Sequence, residues 1–159
     1  ALSISTGARL GSVLTIAKAD INLETNNIII KNHKSNRTYA GYLHQDFRDL
    51  ISKRMEKLSP IDYLVSGTPQ VLHRSTISKV FKNILDELFN QGLDIEDSKR
   101  RVVIHTFRHT FASLLAIKGT PIYTIMKLMD HADISQTIRY AKLSPDSGRD
   151  NVFDLKLIN

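Results

Sequence analysis

Apolar residues in the first third of the chain recur at two different periods, and the change of period marks a change of structure. Leu10, Val13, Leu14 and Ala17 fall at helical spacing, which predicts a helix entered through Ser5-Thr6-Gly7 with Arg9 in its opening turns. Ile21 and Leu23 then flank polar residues, Asn26-Asn27 is a turn signal, Ile28-Ile29-Ile30 is a β-branched run, and Thr38 to Leu43 is a third extended stretch. These predict a small three-stranded antiparallel sheet whose second turn carries Lys31, Lys34 and Arg37.

From His44 onward the pattern is helical. Phe47, Leu50, Ile51 and Leu58 form one stripe; Ile77, Val80, Phe81, Ile84, Leu85 and Leu88 form a longer one after a Ser75-Thr76 cap, and both are expected to be core. Ser66 to Pro69 and Gly92 to Ser98 read as loops. Phe107, Phe111, Leu114 and Leu115 share a face of the next helix, Gly119 breaks it, and Thr120-Pro121 supplies the cap and first position of another that ends near Asp130. Ile134 to Tyr140 is a short helix capped by Asp133 or Ser135, and Val152 to Ile158 is apolar enough to seek a groove. The expected fold class is mainly α with one small three-stranded antiparallel β-sheet (α+β).

Composition narrows the chemistry. A chain of 159 residues fits one domain, 1–159, and is long enough to bury about two-thirds of the surface that its unfolded form exposes. No cysteine is present, which excludes disulfides, thiolate zinc sites and cysteine nucleophiles and suits a reducing, cytoplasmic setting. The longest apolar run, Phe111 to Ile117, is far short of the roughly 20 residues that cross a bilayer, so no membrane partner is expected. The start, Ala1-Leu2-Ser3-Ile4, has neither a basic stretch nor an initiator Met, and predicts that a further N-terminal part belongs to the protein. A net charge of +6 favours a polyanionic partner. The basic residues cluster at Lys31/Lys34/Arg37, Arg48/Lys53/Arg54/Lys57 and Lys99/Arg100/Arg101.

His105 and His109 stand four apart, which is metal-ligand spacing. No Glu follows the first of them, and Arg108 places a permanent cation beside the second, so no metal is expected and His109 reads as a structural histidine. His105 and Arg108 project to one side of a helix, where an imidazole and a guanidinium can meet one phosphate, and Arg9 could supply a second planar fork. Two such forks would neutralise charge on the equatorial oxygens of a phosphodiester under attack. Tyr140 is credible as a nucleophile only there, because a free phenol with pKa about 10 is roughly 0.1% ionised at pH 7. Nearby arginines are expected to lower that pKa.

Thr6-Gly7-Ala8-Arg9-Leu10-Gly11, His105-Thr-Phe-Arg108-His-Thr-Phe-Ala-Ser and His131 to Arg139-Tyr140-Ala-Lys-Leu occur in this order, and together they resemble the catalytic domain of the tyrosine recombinase, or phage-integrase-like, family. The match runs from about residue 6 to 143. The resemblance implies that Arg9 and Arg108 clamp a scissile phosphate in double-stranded DNA and that Tyr140 attacks it to give a 3′-phosphotyrosine. It implies that His105 accepts or shuttles the tyrosine proton, that His131 hydrogen-bonds the phosphate, and that a lysine of the sheet turn protonates the departing 5′-oxygen. Lys31 is the expected lysine and Lys34 the alternative; Lys34, Arg37 and Arg139 are expected DNA contacts.

No metal, nucleotide or other cofactor is implied. The implied activity is site-specific strand cleavage and rejoining for integration or excision of a mobile element or prophage, by a homo-multimer, a tetramer, on paired sites and in association with the nucleoid. The tail, 144–159, is expected to pack on a neighbouring protomer. Three departures stand out: Ser12 replaces an acidic residue common three after the first arginine, Met129-Asp130 replaces Leu-Gly before His131, and Tyr39-Ala40-Gly41-Tyr42-Leu43 lacks the Val-Pro-Leu common after the hairpin turn. Asp130 is expected to adopt the left-handed conformation, to repel DNA phosphate and to favour the His131 imidazolium. A type IB topoisomerase and a DNA-binding relative that has lost catalysis are the competing readings.

Overall fold

A computed structural model describes residues 1–145 and 148–154 of the chain. Two short helices open it, α1 (Leu2–Thr6) and α2 (Leu10–Leu14), where the sequence pattern predicted one. The division comes from Gly7, which closes α1 in the left-handed region at φ 64°. Thr6 Oγ1 donates to the Leu2 carbonyl at 2.8 Å and accepts from the Ala8 amide at 3.1 Å, so Ser5 and Thr6 end one helix rather than start the next. Arg9 therefore caps α2 in extended conformation instead of lying inside it.

The three-stranded antiparallel sheet has the order β1 (Ile21–Asn22), β2 (Asn27–Asn32), β3 (Arg37–Tyr42). Lys31 pairs with Thr38 and Asn32 with Arg37, so the turn proper is residues 33–36. Alternation along β2 decides the faces: Ile28 and Ile30 are fully buried, Ile29 is exposed, and Lys31 shares the outer side with Ile29 while Asn32 shares the inner side with the other two. Gly41 of β3 lets α1 and β2 approach, since a Cβ there would sit 2.5 Å from Ile30 Cδ1 and 3.2 Å from Thr6 Cγ2.

Helices α3 (Arg48–Glu56), α4 (Arg74–Phe89), α5 (Thr106–Ile117), α6 (Ile122–Leu128), α7 (Ser135–Ile138) and α8 (Gly148–Phe153) follow. Helix α4 is capped by His73, two residues ahead of the expected Ser75, and Pro121 is the cap of α6 rather than its first residue. Of the tail expected to pack on a neighbour, residues 146–147 and 155–159 lie outside the described residues. No helix among the described residues is long and apolar enough to cross a membrane.

Apolar side chains gather in two clusters. One joins α1, α2, the sheet and α3 through Leu2, Val13, Ile16, Ile28, Ile30 and Ile51. The other joins α5, α6 and the last segment through Ala112, Ala116, Ile125, Met129 and Tyr140. Each fully buried isoleucine contributes roughly 1.5–3 kcal/mol relative to exposure. The α4 stripe corrects the expectation of a second core helix: Leu85 alone is buried, while Val80, Ile84 and Leu88 are exposed. Helical spacing guarantees that these residues share a face; it does not guarantee that anything covers the face.

Candidate active site

The two clusters meet along a polar seam, and Arg108 spans it. Located in the first turn of α5 and only 2% exposed, it donates from one terminal nitrogen to the Gly7 carbonyl and from the other to the Met129 carbonyl at 2.6 Å. Gly7 is what brings its carbonyl to the guanidinium, and it also leaves room for Phe111, whose ring a Cβ at position 7 would strike. Burial and the nearby Arg9 lower the Arg108 pKa to about 10, which leaves it cationic at neutral pH. A guanidinium carries five N–H groups, and two carbonyls leave donors for a ligand in the seam.

Two hollows open there and share Arg9, His105 and Arg108. The larger, about 400 Å³, adds Asn32, Lys34 and Arg74. The smaller, about 260 Å³, adds His109, His131, Arg139 and Tyr140. Five of the expected site residues thus converge: Arg9, His105, Arg108, His131 and Tyr140. Lys34 and Arg139 line the same surface, whereas Arg37 opens β3 on the far side of the turn and lines neither hollow. Lys31 is the exception among the expected catalytic residues. Its ammonium lies on the outer face of β2, 3.4 Å from an Asp20 carboxylate oxygen.

His105 caps α5, and its ring meets that of His109 edge to face at 4.8 Å between centroids. Burial, followed by the charges of His109 and Arg108, lowers the His105 pKa. His109 is held by burial, then Arg139 and Arg108, below the ordinary histidine value. His131 falls furthest, to about 4, through burial and the three arginines 108, 9 and 139. Asp130 does act in the direction expected of it, favouring the imidazolium, but is outweighed. All three rings are therefore neutral at pH 7. His131 Nδ1 is 2.8 Å from the buried Thr137 hydroxyl, which fixes the ring.

Tyr140 is 4% exposed, and its phenol oxygen lies 2.6 Å from His109 Nδ1. Burial raises its pKa; Arg139 and Arg108 oppose but do not reverse the effect, contrary to the expectation that arginines would acidify it. His109, read from sequence as structural, is thus the residue in contact with the candidate nucleophile. The signal available was its position four after His105 and one after Arg108, on the helix face that both define.

Asp130 takes the left-handed conformation at φ 49°, as expected. Its backbone carbonyl accepts from Arg9 at 3.3 Å, its carboxylate is 3.8 Å from the same guanidinium, and Asn32 donates to it from the end of β2. The carboxylate that Ser12 does not supply beside Arg9 therefore comes from Asp130. Arg74, at the start of α4, and Tyr39, whose pKa burial raises to about 12 against the opposing charge of Arg108 and with that of Asp130, are further neighbours that the motifs did not indicate.

Two of the three basic clusters are used largely within the fold. Arg101 pairs with Asp86, Arg100 with Asp97 at 2.5 Å, and Asn90 holds Val102 through both its amide and carbonyl, which fixes the strap leading to His105. Arg54 donates to the Leu64 and Val65 carbonyls and Arg48 to Leu23.

The phage integrase family profile matches residues 1–146 of the chain. Tyrosine recombinase XerA of Saccharolobus solfataricus is 28% identical over 148 residues, which cover 93% of this chain and 46% of the relative. A tyrosine recombinase of Pseudothermotoga lettingae is 34% identical over 100 residues, 57% of this chain and 32% of its own. The chain thus spans about half the length, or less, of these relatives. Among solved structures, the XerA recombinase superposes with a TM-score of 0.68 at 19% identity, covering 99% of this chain and 57% of that one. The catalytic domain of bacteriophage HP1 integrase gives 0.66 at 20%, covering 98% and 79%. The Tn1549 transposon integrase, solved with a circular-intermediate DNA, gives 0.71 at 17%, covering 97% and 56%. With its arginines, histidines and tyrosine gathered on one seam of that shared fold, the chain belongs to the phage integrase family and has the architecture of a tyrosine recombinase catalytic domain.

Proposed function

We propose that this chain is the catalytic domain of a site-specific DNA recombinase that cleaves and rejoins strands through a 3′-phosphotyrosine. The observation that carries the reading is the convergence of Arg9, Arg108, His105, His131 and Tyr140 on one hollow. The arginine forks bind the equatorial oxygens of the scissile phosphate, where charge builds during in-line displacement. His131, neutral and braced by Thr137, donates a hydrogen bond to a phosphate oxygen. Tyr140 attacks phosphorus, the 5′-oxygen leaves, and the ester bond to the tyrosine conserves the energy needed for resealing to another strand. The protein is proposed to do this as a multimer on paired DNA sites, in the integration or excision of a mobile element, without metal or nucleotide. In support, the Tn1549 integrase that shares its fold was solved with DNA.

As the hairpin stands, the general acid falls to Lys34, which lines the cleft; Lys31 would have to leave Asp20 and change strand face. A substrate with sulfur in place of the bridging 5′-oxygen has a leaving group that needs no acid. It should restore cleavage to Lys34→Ala; restoration of Lys31→Ala instead would assign the role to Lys31.

The direct test is incubation with a nicked duplex that traps the covalent intermediate, in the presence of a chelator, followed by denaturing electrophoresis. A protein–DNA adduct is expected. If DNA binds and no adduct forms on sites drawn from the source element, even with any further part of the protein restored, the reading of a catalytically inert DNA binder takes its place.

Asp130 bears on binding. Its carboxylate competes with phosphate for Arg9, and the side chain of Arg9 is 42% exposed, so the pair is discounted for solvent screening. Asp130→Gly keeps the left-handed backbone and should tighten duplex binding by a few-fold, about tenfold at most, at low salt, and less at high salt. Equal affinity of the two proteins in a fluorescence-anisotropy titration removes the idea.

A further inference from the structure

We propose that His109, and not His105, is the group that takes the proton from Tyr140 when the tyrosine attacks. The inference rests on the reading of Tyr140 as nucleophile and deepens it. His109 Nδ1 is 2.6 Å from the phenol oxygen, within the range of a short O–H···N hydrogen bond. His105 has no hydrogen bond to Tyr140; its ring contacts that of His109 edge to face, which makes it the neighbour of the base and not the base itself. The two aromatic planes of His109 and Tyr140 are tilted by 46° with centroids 6.1 Å apart, a contact made at the polar edges and not by stacking.

The surroundings suit a base that is unprotonated before the reaction. Facing His109 are His105 and Arg108 from its own helix, Arg139 and Tyr140 from the segment after α7, His131 from the turn between α6 and α7, and Arg9 from the cap of α2. Every permanent charge in that set is positive. Such a field disfavours an imidazolium, in agreement with the lowered pKa of His109. It also means that the proton moves only as the attack proceeds: the phenol becomes acidic as its oxygen bonds to phosphorus, and the phosphate that has entered the seam offsets the arginines.

The step balances as follows. The Tyr140 Oη–P bond forms and the P–O5′ bond breaks; the phenolic proton passes to His109 Nδ1, and the hairpin lysine gives a proton to O5′. In resealing, the incoming 5′-hydroxyl returns its proton to the lysine while His109 protonates the departing tyrosine oxygen.

Two measurements decide it. Imidazole nitrogen shifts of His109 in the unaltered protein should show Nδ1 without a proton at pH 7; a protonated Nδ1 would make His109 a donor to the phenol and end the proposal. Single-turnover cleavage of the trapping substrate by His109→Gln, which keeps a polar group but cannot take a proton, should slow by about a hundredfold. It should also lose the limb of the wild-type pH profile that lies below the usual histidine range, where activity falls as pH drops through the lowered pKa of His109. The same limb persisting in His109→Gln and vanishing in His105→Gln would transfer the role to His105. An adduct that survives in Tyr140→Phe would defeat the nucleophile assignment instead, and is read on a separate protein.

Discussion

Tyr140→Phe is expected to form no covalent adduct on a trapping substrate while remaining folded and able to bind DNA. The phenyl ring keeps the shape that packs against Ala112, Ala116, Ile125 and Met129, so the second apolar cluster stays filled. What is lost is one hydroxyl and its bond to His109 Nδ1. His109 is only partly buried and water can replace the partner, so the stability cost is about 1 kcal/mol. For a chain of this size that is a fall of about 2–4 °C in Tm. Chemistry is affected without compensation, because among the described residues that line the hollow no other carries a hydroxyl. A drop of more than about a thousandfold in adduct yield, with anisotropy and thermal melt near wild type, is the expected set of results. An adduct at wild-type level would mean that a different residue attacks.

Arg108→Ala is the second large effect, and it strikes stability and cleavage together. Truncation leaves the Gly7 and Met129 carbonyls buried without donors, at about 1–3 kcal/mol each. It also opens a void where a buried side chain ties the α1 end of the sheet cluster to the α5–α6 cluster. A loss of about 3–5 kcal/mol lowers Tm by roughly 6–20 °C, out of a total stability of about 5–15 kcal/mol. Arg108→Lys separates the two roles. A lysine ammonium can reach one of the carbonyls and recover part of the stability, but it has no planar fork, so cleavage should remain at least about a hundredfold down. Thermal melts and single-turnover adduct formation measure both. A melt of Arg108→Ala within 2 °C of wild type would contradict the bridging role, by the same scaling, and near-normal cleavage by Arg108→Lys would contradict the fork.

Much of this arrangement is legible in the chain. The three motif segments contain Arg9, His105, Arg108, His131 and Tyr140, and the β-branched run with its flanking turns gives the sheet. The placement of Lys31 was also accessible by strand alternation: with Ile28 and Ile30 inward, Lys31 must point outward, and the structure sets it beside Asp20. Other features depend on contacts that no local pattern encodes. The bond between His109 and Tyr140 joins residues 31 apart in sequence. The carboxylate beside Arg9 comes from Asp130, 121 positions away by chain, and only the fold brings the two together. Helix α1 is five residues long with no side-chain cap, too short to display a period. The α4 stripe shows the opposite failure, a strong period whose face is largely uncovered.

Tyr140 lies in the same chain as both arginines and is held there by that chain's own His109. The consequence concerns genetics. If the nucleophile stays at home during cleavage, two defective versions of this chain, one lacking the tyrosine and one lacking Arg108, cannot complement each other, because neither can lend the missing part to its neighbour. In a mixed assembly the dose of cutting is then set by the number of intact chains present.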